Sequence, residues 1–281
     1  MNAVFITART DSTRLPNKIC RILAGKPIYE HLIERALQTK ADKIVFCTTF
    51  RKIDDKLAKN ITDKILLFRG DYKNKLHRWL SAAKTYSIDE FVEFDGDDLL
   101  CDIEMIDKAL TALNKADFVT APPNIITGAF TFGIRTEALE KAYKDTTCEI
   151  IQFKLPKTII PTTAVGKKIR LTLDYPEDLE MFRELYKIKY CTTLPLSEVL
   201  TIFEEHPQLS EINWYREKDY KENQQKILFA PDIPEKNPFC SGYSGKKSFL
   251  FRIFRKKILF VPDIPEERSY VKIPVGRTKL C

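Results

Sequence analysis

Short apolar runs alternate with amphipathic stretches through the first 121 positions. Val4–Thr7, Lys43–Thr49, Lys64–Phe68, Glu90–Phe94 and Asp117–Ala121 carry the β-branched and aromatic residues expected of strands. Between them, Ile28–Lys40, Ile53–Lys59, Leu76–Tyr86 and Ile103–Lys115 place apolar residues at helical spacing. In the first of these, Ile28, Leu32, Ile33, Ala36 and Leu37 share a face. Such alternation predicts an α/β fold of three layers (αβα), a mostly parallel sheet with helices on both faces. Sheets of this kind bind their ligands at the carboxyl ends of the strands.

After Pro122-Pro123 the pattern changes. Gly128–Arg135 alternates like a strand, Thr136–Tyr143 reads as a helix, and 149–163 is strand-like and irregular. Lys168–Leu173 reads as a strand ending at Asp174. A helix follows, with Pro176 at its first position and Glu177 and Asp178 in its first turn, where negative charge suits the helix dipole. Leu196–Glu205 is a further helix, closed by His206-Pro207. From about Asp219 the composition shifts again. Lys226–Glu235 recurs as Lys257–Glu266 with nine of ten positions identical, and two copies are too few for a solenoid. The expected division is a body of residues 1–218 and a basic appendage of residues 219–281, without catalytic role.

The first apolar run empties into Ala8-Arg9-Thr10-Asp11-Ser12-Thr13-Arg14-Leu15-Pro16-Asn17-Lys18. Three cations (Arg9, Arg14, Lys18) beside three small hydroxyls at a strand end form a site for a polyphosphate. Neither GxxxxGK[ST] nor GxGxxG is present. The fourth strand runs into Asp95-Gly96-Asp97-Asp98. Taken alone, that cluster reads as a solvated turn, since Asp and Gly are turn formers. Facing a phosphate loop, it offers the hard oxygen ligands that Mg²⁺ takes beside phosphate and water. Asp174 is the second acidic point at a strand end, whereas Glu177 and Asp178 are assigned to the helix dipole alone. His31, His77 and His206 have no triad or metal spacing. His31, beside an apolar stripe, reads as structural or exposed.

Composition narrows the classes. The net charge is +7, but residues 219–281 hold 13 Lys/Arg against 7 Asp/Glu. The body is nearly neutral, which argues against nucleic acid as its partner. Lys246–Lys257, basic and aromatic, suits weak contact with a membrane surface or an acidic partner. Seven Cys at irregular spacing, none in a CxxC pair, fit a reducing cytoplasm. No apolar run approaches the ~18 residues of a membrane span.

The phrases ARTDSTRLPNK and LAGKP, the GD pair, LTLDYPEDLEMFR, Phe68-Arg69-Gly70, Arg78-Trp79 and the ending HPQLSEIN together resemble the cytidylyltransferases that make CMP-activated acid sugars. The likeness is nearest to the spore-coat polysaccharide branch, with the CMP-Kdo and CMP-sialate synthetases more distant. It covers about residues 1–215. The resemblance implies a GT-A-like nucleotide-diphospho-sugar transferase fold and a triphosphate loop carried by Ala8, Arg9, Ser12, Arg14 and Lys18. It implies Asp97 and Asp174 as Mg²⁺ ligands, and Arg69 and Arg78 in the segment completing the nucleotide pocket. Arg9, Lys18, Asp97 and Asp174 would carry catalysis, CTP would be the substrate, and the acceptor would be a sugar or acid sugar for surface-glycan precursors. Relatives dimerise through the region after the fifth strand, so Gly128–Ile134 is expected to pair across a two-fold axis.

Asn17 stands where relatives carry Gly, and Asn tolerates positive φ. Leu99 stands where they often carry Pro. Two other classes fit parts of the pattern. A nucleotide-sugar-dependent glycosyltransferase would use Asp95-Gly96-Asp97 as a DxD metal site but has less need of the Arg9–Lys18 loop. A non-catalytic nucleotide- or membrane-binding homologue would act through the basic tail.

Overall fold

The computed structural model of the protein describes residues 1–61, 64–144 and 155–228, without the side chains of residues 144 and 225–228. The irregular stretch 149–163 lies partly outside these residues. The second copy of the repeat and the basic segment 246–257 lie wholly outside them. In chain order the strands are β1 (Asn2–Thr7), β2 (Ile22–Leu23), β3 (Lys26–Pro27), β4 (Lys43–Thr49), β5 (Leu66–Gly70), β6 (Glu90–Asp95), β7 (Phe118–Thr120), β8 (Phe132–Arg135) and β9 (Thr158–Ile159). The helices are α1 (Ile28–Ala36), α2 (Asp55–Lys59), α3 (Lys75–Tyr86), α4 (Ile103–Leu113), α5 (Thr136–Lys144), α6 (Pro176–Ile188), α7 (Leu196–Glu205), α8 (Gln208–Asn213) and α9 (Arg216–Leu228). No helix among the described residues is long and apolar enough to cross a membrane.

The central sheet has the order β5-β4-β1-β6-β8-β7-β9. β1 pairs in parallel with β4 and β6, and β4 with β5. β1 shows why the chain folds this way. Val4 and Ile6 pack into one layer with α1, α4 and α6, while Ala3 and Phe5 pack into the other with α3 and α5. A strand buried on both faces must be apolar throughout, so it reads as a run rather than an alternation. Phe5 stacks on Phe91 of β6 with centroids 4.1 Å apart.

Four expectations change. β8 enters the sheet antiparallel, between β6 and β7, so the parallel order is interrupted. Within Gly128–Ile134, Phe132–Ile134 therefore have a strand neighbour on each side. α1 stops at Ala36, four residues short of the expected end, where the Thr39 hydroxyl takes the Ala36 carbonyl at 2.7 Å. Lys168–Leu173 joins no ladder. It crosses the strand ends instead, with the Leu171 N–H donating to the Thr127 carbonyl and the Leu173 N–H to the Asp97 carbonyl, both at 2.8 Å. Gly128 permits that crossing, because a Cβ there would lie 2.5 Å from the Leu171 carbonyl carbon. α9 passes through the expected boundary at 218/219 and packs on the body, Asn223 Nδ2 donating to the Tyr175 hydroxyl at 3.0 Å.

His31 is structural. It is fully buried in α1, with Nε2 2.8 Å from the Leu23 carbonyl and Nδ1 2.6 Å from the Thr192 hydroxyl. A carbonyl can only accept, so Nε2 carries the proton and Nδ1 accepts. Burial holds its pKa below the ordinary value despite the Leu23 carbonyl. In the window from that depressed folded value up to ~6.5, the unfolded chain binds a proton that the folded chain does not. Stability is therefore expected to fall as pH drops through ~6.5. Urea denaturation at pH 7.5 and 5.5 should show the fall in wild type and a smaller one in His31→Gln. Equal falls would place the pH dependence elsewhere.

Candidate nucleotide site

The loop after β1 and the turn after β6 meet where the sheet's strands end. Gly96 permits the approach: a Cβ at that position would lie 2.6 Å from the Thr7 carbonyl oxygen and 2.7 Å from the Ala8 Cβ. Asn17 adopts the left-handed conformation, φ 53°, ψ 29°, that Gly would otherwise supply, and it leads into the single turn Lys18–Cys20. This turn delivers Lys18 to the acidic residues.

Lys18 Nζ donates to Asp97 Oδ2 at 2.8 Å, to the Leu173 carbonyl at 2.8 Å and to Asp174 Oδ1 at 3.2 Å. Arg14 Nη2 donates to the same Asp174 oxygen at 2.6 Å. Two loop cations and two carboxylates from segments 77 residues apart in the chain (97 and 174) thus converge on one point. The electrostatics are strong in both directions. Burial disfavours the Lys18 charge, but Asp97 and Asp174 outweigh it and raise the pKa. Burial pushes the Asp97 carboxyl up, and Lys18 overrides it, leaving the pKa below the carboxylate range. Asp174 ends above that range because burial and the Asp97 charge outweigh Lys18 and Arg14.

The three acids of the turn have different partners. Asp95 belongs to Lys75, whose Nζ lies 3.0 Å from Asp95 Oδ2 and 3.3 Å from Glu93 Oε1. Glu93 is fully buried in β6, which pushes its pKa to about 8. Asp98 is buried with Thr131 at 3.4 Å, and burial together with Asp97 and Asp95 raises its pKa well above the carboxylate range. Asp97 alone of the three takes Lys18. Asp95 and Asp97, two residues apart, thus take different lysines, and Asp97 shares its lysine with Asp174.

The remaining expected residues frame the loop. Ala8 is buried, its N–H donating to the Cys47 carbonyl at 3.2 Å, and Ser12 is half-buried. Arg9 lies away from Lys18, 3.1 Å from Asp11 and over the Tyr72 ring at 5.3 Å; Arg51 covers the same ring at 4.1 Å. Arg69 donates to the Thr49 carbonyl (2.9 Å) and to Asp55 (2.7 Å). Arg78 is buried, donates to the Asp71 carbonyl and lays its stem against Gly70. Neither Arg69 nor Arg78 joins the cluster of Lys18, Asp97 and Asp174.

Two buried acids, Asp54 and Asp178, support the site without a role there that their local sequence shows. Asp54, 1% exposed, accepts from the Thr10 N–H (2.9 Å) and hydroxyl (2.7 Å) and from the Thr49 hydroxyl, pinning the loop after β1 to the end of β4. Asp178, assigned above to the helix dipole alone, is fully buried and accepts from the backbone N–H groups of Asp174 (2.8 Å) and Tyr175 (2.9 Å). It also binds Arg170 Nε at 2.9 Å. The available signal was the spacing Asp174-x-x-x-Asp178 around Pro176, which is that of a residue before a helix and one in its first turn.

Loop cations and a carboxylate pair thus meet at the carboxyl edge of a mostly parallel sheet, where α/β folds of this kind bind their ligands. A family model for cytidylyltransferases matches residues 3–227, and the chain belongs to that family of CTP-using enzymes. It is 33% identical over 234 residues to an uncharacterized protein of Methanocaldococcus jannaschii, covering 77% of this chain and 96% of that one. A cytidylyltransferase structure from Leptospira borgpetersenii superposes with a TM-score of 0.68 at 26% identity, covering 74% of this chain and 95% of the other. A 3-deoxy-manno-octulosonate cytidylyltransferase of Francisella tularensis is 35% identical over 122 residues. That match spans 42% of this chain and about half, 48%, of the relative.

Proposed function

We propose that the protein transfers CMP from CTP to a sugar or acid-sugar acceptor, with Mg²⁺, releasing pyrophosphate for surface-glycan precursor synthesis. The observation that carries this reading is the convergence of Lys18 and Arg14 on Asp97 and Asp174 at the sheet edge. Likeness to a 3-deoxy-manno-octulosonate cytidylyltransferase supports an acid sugar as the acceptor.

The donor set suits Mg²⁺: two carboxylates reach one cation position, and both present hard oxygen. Among the described residues no group of three or more His, Cys, Asp or Glu is arranged to hold a metal. Two carboxylates, completed by phosphate and water, are the usual Mg²⁺ arrangement. Bound there, Mg²⁺ would supply charge neutralisation at the phosphates. Lys18 and Arg14 would clamp the triphosphate, with Arg9 and Ser12 on the same loop and Arg69 and Arg78 framing its far side. An acceptor oxygen attacks the α-phosphorus, and the bond to the pyrophosphate oxygen breaks. Lys18 stabilises the charge that the leaving group gains. The work of these residues is positioning and electrostatics.

A thermal-shift series with CTP, ATP, GTP, UTP and UDP-sugars, with and without Mg²⁺, tests the reading. CTP-selective, Mg²⁺-dependent stabilisation is expected in wild type and lost in Asp97→Asn. Stabilisation by UDP-sugars alone would replace it with a glycosyltransferase, and silence with every nucleotide would refute catalysis. Cytoplasmic location and a homodimer belong to the same proposal; the dimer is checked by mass in solution.

A further inference from the structure

Asp174 is held from behind by a second buried ion cluster. Arg170, fully buried, donates through Nη2 to Asp174 Oδ2 at 3.4 Å, while Arg14 and Lys18 meet the opposite oxygen, Oδ1. The guanidinium is fixed in turn by Asp178 at 2.9 Å and by Glu217 Oε2 of α9 at 3.1 Å. The Tyr220 ring, one turn further along α9, covers it at 4.8 Å. Glu217 is itself anchored, its Oε1 accepting from the Thr127 hydroxyl at 2.8 Å. Each donor face of Arg170 thus has an acidic partner, and α9 supplies one of them.

The consequence follows from geometry. A carboxylate with one oxygen tied to a rigid, neutralised cation presents the other in a fixed direction, which is how outer-shell groups orient metal ligands. Without Glu217, Arg170 would keep Asp178 and Asp174 and could swing toward either. We propose that Arg170 is a positioning residue for Asp174, and that α9, through Glu217 and Tyr220, is the element that holds it in register. This rests on the proposed Mg²⁺–CTP function. It places Glu217 and Tyr220 of α9 in the support of the site.

Mn²⁺ binding in the presence of CTP, followed by electron paramagnetic resonance, tests the idea on the full chain. Glu217→Gln and Tyr220→Leu are each expected to weaken Mn²⁺ affinity about tenfold, near the lower end of outer-shell effects. Asn223→Ala removes a different anchor of α9, the bond to the Tyr175 hydroxyl, and keeps every acidic partner of Arg170. It should lower the melting temperature without moving Mn²⁺ affinity. If all three variants lose stability and bind Mn²⁺ like wild type, Arg170 and α9 are structural only and the inference falls. If wild type binds no Mn²⁺ with CTP, the proposed function falls first and this inference with it. Should Glu217→Gln fail to fold, Tyr220→Leu decides alone, because its half-buried ring can be replaced without unpairing a charge.

Discussion

Lys18→Ala is expected to lower kcat/KM for CTP-dependent transfer by ~100- to 1,000-fold, the loss seen when one charge-stabilising donor is removed from a reaction centre. The side chain is 14% exposed and makes three hydrogen bonds, two of them to Asp97 and Asp174. Two roles are open to it. It neutralises the carboxylates of the folded chain, and it clamps phosphate. They separate under added metal. If neutralisation were its whole task, saturating Mg²⁺ between Asp97 and Asp174 would replace it and restore the rate. If it stabilises charge on the departing pyrophosphate, Mg²⁺ restores stability but not turnover. Steady-state kinetics across a Mg²⁺ titration should show the second behaviour, and full turnover at saturating Mg²⁺ would defeat it. Lys18→Arg should recover only part of the rate. Its planar fork cannot place one point charge between two carboxylates 2.8 and 3.2 Å away.

The βα alternation was readable because β1, β4 and β6 are buried on both faces and each helix shows one apolar stripe. What alternation cannot convey is which strand lies beside which. Gly128–Arg135 reads as a strand, but its insertion between β6 and β7 depends on contacts remote in sequence. Lys168–Leu173 has the composition of a strand, but its pairing stops at a single parallel bridge between Arg170 and Thr127. At the site, the cations of the loop after β1 and the carboxylates Asp97 and Asp174 were visible as residue types in sequence. Their pairing was not. Nothing local says that Lys18 chooses Asp97 while Lys75, at the start of α3, takes Asp95. Asp54 and Asp178 look like ordinary turn and helix-start residues, and only the fold reveals that each is buried under several donors.

Asp178→Ala separates the two readings of that residue by magnitude. As a dipole partner in the first turn of α6, an acidic side chain contributes ~0.3–1 kcal/mol. The structure assigns it far more. Oδ1 accepts from Arg170 Nε and, at 3.0 Å, from Asn213 Nδ2; Oδ2 accepts from the N–H groups of Asp174 and Tyr175. Alanine would leave the Asp174 and Tyr175 N–H groups without this acceptor and leave the Asn213 amide with the Arg170 carbonyl alone. It would also deprive a fully buried guanidinium of one of its acidic partners. Breaking one side of a buried charge pair costs about 3–5 kcal/mol. Urea denaturation at pH 7.5 should therefore place Asp178→Ala at that loss and Asp178→Asn between it and wild type. The amide keeps one acceptor oxygen but turns donors toward donors on its other side. A loss under ~1 kcal/mol for Asp178→Ala would return the residue to the helix dipole. It would also mean that Arg170 holds Asp174 without it.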